Sequence, residues 1–326
     1  MKKILALVLA LCMVFALCAC GSSSGDSDTP AASTVSLNVG TGGESGTYYG
    51  YTGILGTVIG QKTDVKLTVV ATGGSKDNLV SMQDGMYDLA TVQSDVMTYA
   101  YNGTNSFADS GKIDGFRVLC ALYPETVQIV TTDPSLKTVE DLRGKRVCVG
   151  DVGSGTYFNA IDVFAAYDMT IDDVSPVYQS FGDSTESLKD GKIDAAFVVA
   201  GAPTPAVQDL STGKQVYLVS LDKEHVDSLI ASSPYYKEYT ISKEVYNTPE
   251  DVTTVAVAAV VIARNDVSEA AIYNFVSAIF NNINDIGHAK KAELSLDFAS
   301  SITDVPYHPG AAKYFAEKDI TVNTAA

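Results

Sequence analysis

The sequence predicts an α/β protein made of two similar lobes, on three observations. Apolar, β-branched runs of strand length alternate with stretches of helical periodicity through most of the chain. A turn of the same composition occurs twice, as Ser45-Gly46-Thr47-Tyr48-Tyr49 and Ser154-Gly155-Thr156-Tyr157-Phe158. Each copy follows an apolar run ending in glycine and is followed by a second pair of related segments. These are Asp84-Gly85-Met86-Tyr87-Asp88-Leu89-Ala90 in the first half and Asp190-Gly191-Lys192-Ile193-Asp194-Ala195-Ala196 in the second. A spacing of roughly a hundred residues indicates two α/β units, not a solenoid.

The elements follow in order. Val35–Gly40 reads as a strand, Tyr48–Ile59 as a helix, Val65–Thr72 as a strand, Asn78–Gln83 as a helix and Asp88–Gln93 as a strand. Arg117–Tyr123 and Val127–Thr131 read as two strands divided by Pro124-Glu125. The second unit offers strands at Arg146–Gly150, Val177–Phe181, Ala195–Ala200 and Val216–Leu221. Thr254–Ala263 is a long β-branched run suited to a second strand crossing between the lobes. Ser268 caps a helix carrying Ala271, Phe275, Ala278, Ile279 and Ile283 at spacings of three and four, with Gly287 interrupting beyond it. Helices at about Lys290–Phe298 and Ala311–Glu317 complete the chain and are expected to pack back onto the first lobe. The expected organisation is therefore a first lobe of residues 35–124 and 255–326 and a second of 125–254.

The N-terminal segment carries its own signals. Met1-Lys2-Lys3 precedes an uncharged apolar run from Ile4 to Ala19, short for a membrane span and typical of a secretory signal. Leu17-Cys18-Ala19-Cys20-Gly21 resembles a bacterial lipobox, so residues 1–19 are read as a lipoprotein signal with Cys20 as the lipidated residue. The alternative is an ordinary signal cut near Ala19. Residues 20–34 read as a polar Ser/Gly/Asp/Thr/Pro tether with nothing to bury, expected to be disordered. The expected location is extracytoplasmic, anchored to the cell membrane by lipid. Loss of Lys2 and Lys3 with the signal takes the formal charge from −17 to −19. That balance disfavours nucleic acid and anionic lipid surfaces as partners. Outside the signal and lipobox only Cys120 and Cys148 remain, both in apolar strand-like runs as buried thiols; a disulfide between them stays open from sequence alone.

The motif order is similar to that of the TAXI-type substrate receptors of TRAP transporters. The resemblance rests on Gly42-Gly43-Glu44-Ser45-Gly46-Thr47-Tyr48-Tyr49, Thr72-Gly73-Gly74-Ser75 with Asn78-Leu79, Gln93-Ser94-Asp95 and Leu122-Tyr123-Pro124-Glu125. It continues through Asp141-Leu142-Arg143-Gly144-Lys145-Arg146-Val147, Gly153-Ser154-Gly155-Thr156, Asp190-Gly191-Lys192-Ile193-Asp194-Ala195, Gly201-Ala202-Pro203-Thr204-Pro205 and His308-Pro309-Gly310-Ala311. It covers almost everything after the tether. The resemblance implies a type II periplasmic-binding-protein fold: two α/β lobes joined by two crossing strands, closing over a ligand in the cleft between them. It implies a small organic anion, a dicarboxylate or acidic amino acid, delivered to TRAP-type permease subunits. A receptor for an ABC-type importer and a sensory or adhesion lipoprotein of the same fold are the alternatives.

Both Ser-Gly-Thr turns join a strand to a helix start, where unpartnered backbone N–H groups and the helix dipole favour an anion. Thr47 and Thr156 either offer hydroxyls to that anion or cap their own helices. Gly42, Gly43, Gly46 and Gly155 admit close backbone approach or serve tight turns, Ser154 belongs to the second turn, and one member of each pair headed by Tyr48 and Tyr157 is expected to face the core. Ser75, Asn78 and Gln93 are candidate cleft residues at later strand ends, and Gly201 shapes the second lobe's wall. None of the four arginines, Arg117, Arg143, Arg146 and Arg264, stands in a glycine-rich turn, so no bidentate arginine clamp is evident.

Catalysis finds little support. His225, His288 and His308 are scattered, which leaves no metal cluster to expect. No Gly-x-Ser-x-Gly elbow or His-Glu-x-x-His is present, Gly40–Gly46 misplaces the third glycine of a dinucleotide fingerprint, and Gly74-Ser75-Lys76 lacks P-loop order. The expectation is a binding protein without cofactor or metal.

Overall fold

The computed structural model describes residues 34–325. The signal, lipobox and tether readings on residues 1–33, Cys20 among them, lie outside the described residues. Ten strands form one sheet. Its first part holds β1 (Val35–Gly40), β2 (Val65–Val70) and β3 (Leu89–Gln93), with β1 parallel to both neighbours. Its far part holds β5 (Arg146–Cys148), β6 (Ser175–Val177) and β7 (Ala195–Ala200), with β5 parallel to both neighbours. Two long antiparallel strands run through the middle: β4 (Phe116–Thr131, 16 residues) and β10 (Val252–Arg264, 13 residues). The order is β2-β1-β3-β10-β4-β7-β5-β6, with β8 (Tyr217–Leu218) on β4 and β9 (Lys237–Ile241) on β10.

Helices fill the crossovers. These are α1 (Thr47–Lys62), α2 (Ser75–Gln83), α3 (Ser94–Asn102), α4 (Gly155–Ala166), α5 (Phe181–Lys189), α6 (Pro205–Gly213) and α7 (Lys223–Ser232). After β10 come α8 (Glu269–Phe280), the single turn α9 (Leu296–Ala299) and α10 (Pro309–Ala316). None of the described helices is long and apolar enough to cross a membrane.

Burial follows from the strand period. In β7, Ala195, Phe197 and Val199 pack into one core while Ala196, Val198 and Ala200 pack into another on the opposite face. Both faces are covered, as parallel strands require. The first lobe's core joins residues of β1, β3 and the first half of β4 to Ala271, Ile272, Phe275, Tyr314 and Phe315 of the C-terminal helices. The C-terminal block therefore packs on the first lobe. That core ends at Tyr123 and resumes at Ala259, whereas the second lobe's cores draw on residues from Val127 to Val257.

Several sequence expectations are corrected. Pro124 does not divide a strand: β4 runs through it, because the β7 partner begins only at Thr126 and no ladder donor is needed there. A register shift between Ala259 and Val260 bends the pair beside it. The segment read as Val177–Phe181 ends as a strand at Val177, since Ser180 accepts the Asp183 N–H and starts α5. Lys290–Phe298 is a 3-10 turn over Ala289–Glu293 followed by α9. Cys120 and Cys148, by contrast, are the buried free thiols expected.

Candidate functional site

The cleft lies at the carboxyl ends of strands from both lobes, where open α/β sheets bind ligands. The turn after β1 supplies Gly42 and Gly43, with the Gly46 N–H donating to the Gly43 carbonyl at 2.9 Å before α1 begins. The turn after β2 supplies Thr72, Gly73 and Gly74. Gly74 stands at φ 106°, ψ −154°, a conformation reserved for glycine. Gln93 ends β3. Across the cleft stand Asp151 and Ser154 after β5, Gln179, Ser180 and Phe181 after β6, and Val199 and Ala200 of β7. The cavity measures about 90 Å³. One water needs roughly 10–15 Å³ by the same measure, so the space suits a small solute.

Helices α1, α4 and α5 start on the cleft, the first on one wall and the other two opposite. Gly46 caps α1 without any side-chain hydrogen bond. Ser154 caps α4 by accepting the Tyr157 N–H at 3.3 Å, and Ser180 caps α5 in the same way. The first N–H groups of all three remain without intrahelical partners. By contrast, the start of α2 is occupied: Lys76 and Asp77 donate to the Gly153 carbonyl of the opposite lobe at 3.2 and 3.4 Å.

The lobes are closed on each other. Thr47 Oγ1 donates to the Gly201 carbonyl at 2.9 Å, and the Ala206 N–H to the Ser45 carbonyl at 3.1 Å. Gln93 Nε2 donates to Asn159 Oδ1 at 2.8 Å, and Asn159 Nδ2 donates to Asp95 and to the Tyr236 hydroxyl. Tyr236 donates in turn to Asp162. Burial lifts the Asp95 carboxyl to about 6.

Gly42, Gly43, Gly46, Thr47, Tyr48, Ser75, Gln93, Ser154, Gly155 and Thr156 all line the cleft. Three other candidates do not. Asn78 is buried behind it, donating to the Thr41 and Thr91 carbonyls and so tying the ends of β1 and β3 together. Tyr157 turns away to pack edge-on against Phe158 and beside Tyr178. Gly201 sits where the lobes touch, using its carbonyl for Thr47; an added Cβ would come within 2.8 Å of Lys290 and 2.9 Å of Tyr123. The hydroxyl roles also separate. Ser154 is the cap of α4, Thr47 bridges the lobes, and the Thr156 hydroxyl makes no hydrogen bond among the described residues.

Sequence reasoning missed Glu125, Asp151, Gln179 and Phe181 as wall residues. Glu125 follows Pro124 at the crossing of β4, is 2 % exposed, and has Oε1 unpartnered. Burial pushes its carboxyl up to about 8, against the opposing influence of nearby Tyr48, Tyr123 and Lys290. The Tyr48 and Tyr123 hydroxyls lie beside it without hydrogen-bond geometry, and burial raises both well above the usual tyrosine range. Among the described residues no three His, Cys, Asp or Glu side chains converge as metal ligands.

The profile of the NMT1-like family matches residues 39–318. The chain belongs to the NMT1-like family. Solved structures of similar fold include a protein of Bordetella bronchiseptica RB50, 17% identical over 86% of this chain and 89% of that one, TM-score 0.51. The alkanesulfonate-binding protein SsuA of Xanthomonas axonopodis pv. citri, bound to MOPS, is 15% identical over 89% and 93%, TM-score 0.49. An arginine-specific periplasmic binding protein of Salmonella typhimurium is 11% identical over 79% and 96%, TM-score 0.47. This member of the NMT1-like family thus carries a mixed α/β fold of the type II periplasmic-binding-protein kind.

Proposed function

We propose that this protein is the extracytoplasmic receptor of a TRAP-type transporter, of the TAXI kind, anchored by lipid at Cys20. It captures a small organic anion, a dicarboxylate or acidic amino acid, by lobe closure and delivers it to the permease subunits. Residues 35–124 and 255–326 form the one lobe and 125–254 the other, hinged where β4 and β10 cross. The observation that carries this reading is the convergence of three helix starts, α1 from one lobe and α4 and α5 from the other, on a cleft lined by no arginine. Backbone N–H groups and helix dipoles hold an anion there, and because both lobes contribute, the anion favours the closed state.

A thermal-shift screen with small carboxylates tests it. One compound should raise Tm markedly, since saturation at a hundred times Kd adds about 2.7 kcal/mol; no rise with any carboxylate refutes the anion reading. Uptake reconstituted with the permease should run on an ion gradient, and uptake that runs on ATP hydrolysis instead returns the ABC-type reading.

Thr156→Val should separate binding from folding. With Ser154 as the cap, losing the Thr156 hydroxyl costs the fold under about 0.5 kcal/mol, less than the ~1 kcal/mol of a lost cap. Affinity should fall about tenfold, as expected for a hydrogen bond to a charged group. Calorimetry on the variant showing wild-type affinity would remove Thr156 from the binding set.

A further inference from the structure

Glu125 is a carboxyl group in the wall of the cleft, and burial outweighs the Tyr48 and Tyr123 hydroxyls and the Lys290 ammonium that favour its ionised form. Its side chain is 2 % exposed and Oε1 has no partner. The nearest ammonium, Lys290, is committed elsewhere: its Nζ lies 2.7 Å from Glu293 and 5.6 Å from the centre of the Tyr123 ring. The other groups facing Glu125 are Tyr48 of α1, Tyr123 of its own strand and Asp95 at the start of α3; Asp151 stands on the opposite wall. Not one of these is a cation. An ionised Glu125 would therefore be a buried charge without a cation partner, set against the bound anion, an arrangement that costs several kcal/mol.

We propose, resting on the anion-receptor reading above, that Glu125 meets the ligand as a neutral carboxylic acid and donates its proton to a ligand carboxylate oxygen. The pair is an O–H···O⁻ hydrogen bond of the short, charge-assisted kind. The proton stays on Glu125 and the ligand's charge stays on the helix starts. The receptor thereby selects anions with an acceptor oxygen at the hinge end as well as at the helix starts, and its affinity becomes linked to pH.

The sign follows from the group's environment. Burial raises the Glu125 carboxyl to about 8, so the acid form dominates at neutral pH and is lost above that value. Tyr48 and Tyr123 are pushed well above 10, and Asp95, raised only to about 6, has lost its proton before pH 8, so the fall above that value belongs to Glu125.

The test is calorimetric titration of wild type and Glu125→Gln with succinate and with L-glutamate from pH 6.5 to 9.5. Succinate itself does not titrate in this range. Wild-type affinity should hold to about pH 7.5 and then fall about tenfold per pH unit above the Glu125 value. Glu125→Gln, which still donates a hydrogen bond, should bind within about threefold of wild type at pH 7 and show no decline to pH 9.5. A flat wild-type profile, or binding abolished in Glu125→Gln, overturns the proposal; the latter would mark an ionised Glu125 facing a ligand cation. No binding of either probe by wild type at any pH instead overturns the anion-receptor reading. Carboxyl ¹³C NMR of the unliganded protein judges Glu125 independently: a protonated signal at pH 7, absent from Glu125→Gln, supports the proposal, and an ionised one refutes it.

Discussion

In Gly155→Ala, ligand affinity should drop at least about a hundredfold while the unliganded protein folds normally. An ideal Cβ on Gly155 falls 1.3 Å from Gln93 Oε1 and 2.4 Å from Gln93 Cδ, distances no packing tolerates. Gln93 can retreat only by giving up its bond to Asn159 Oδ1 and turning into the cleft that it lines, the space the ligand needs. Yet Gly155 is the first residue of α4 and needs no left-handed backbone, so alanine suits the helix itself. The clash exists only while the lobes are together. Its whole cost falls on the closed state, and about 2.7 kcal/mol there is a hundredfold in apparent affinity. Calorimetry reads the affinity, and small-angle scattering reads the shift to an extended form. Wild-type affinity in Gly155→Ala would mean that the liganded state separates Gln93 from Gly155. Adding Gln93→Ala should recover part of the loss, because it vacates the space.

Gly310→Ala should give the opposite signature, a large stability loss with affinity retained among folded molecules. Here a Cβ would lie 2.2 Å from the Glu269 carbonyl oxygen and 2.8 Å from the Tyr273 nitrogen. Both are backbone atoms of α8, which cannot swing aside as a side chain does. Helices α8 and α10 would have to part, opening the packing around Tyr314 and Phe315. Such overpacking against main chain costs about 3 kcal/mol or more, roughly 6–10 °C in Tm for a chain of this size. The contact lies on the outer side of the first lobe, away from the cleft lining. A melting temperature within 2 °C of wild type would show that the helices have slack at this crossing.

Where the sequence was legible, a local periodicity or a turn residue decided the outcome. The strands around Val39, Val69, Val147 and Phe197 and the helix through Phe275 follow from apolar spacing alone, and the glycine turns disclosed both sides of the cleft. What stayed hidden depended on distant partners. The helix Ser94–Asn102 follows β3 with no intervening turn, and Ser94 Oγ accepts the Ala258 N–H of β10 instead of signalling a cap. Ser154 and Thr156 are near-equivalent hydroxyls in sequence; only the coordinates assign the cap to the first. Tyr48 and Tyr157 occupy matching places in the two repeats, but only Tyr48 finds the cleft. Glu125 sits inside an apolar run, and its aim at the cleft depends on the bend where β4 and β10 cross.

The hydrogen bonds that hold the lobes together are between neutral backbone and side-chain groups or from an amide to Asp95, and Lys76 lies 5.6 Å from the centre of the Phe158 ring across the cleft; among the described residues no acid–base ion pair spans the lobes. The surface around them is strongly acidic, with a formal charge of −17 over the full sequence. Capture and release should therefore respond differently to electrolyte. Added salt screens the repulsion that an incoming anion meets and quickens its arrival, while the escape rate, governed by buried contacts that salt screens little, stays nearly constant. Scavenging should thus be fastest in brine and slowest in dilute water.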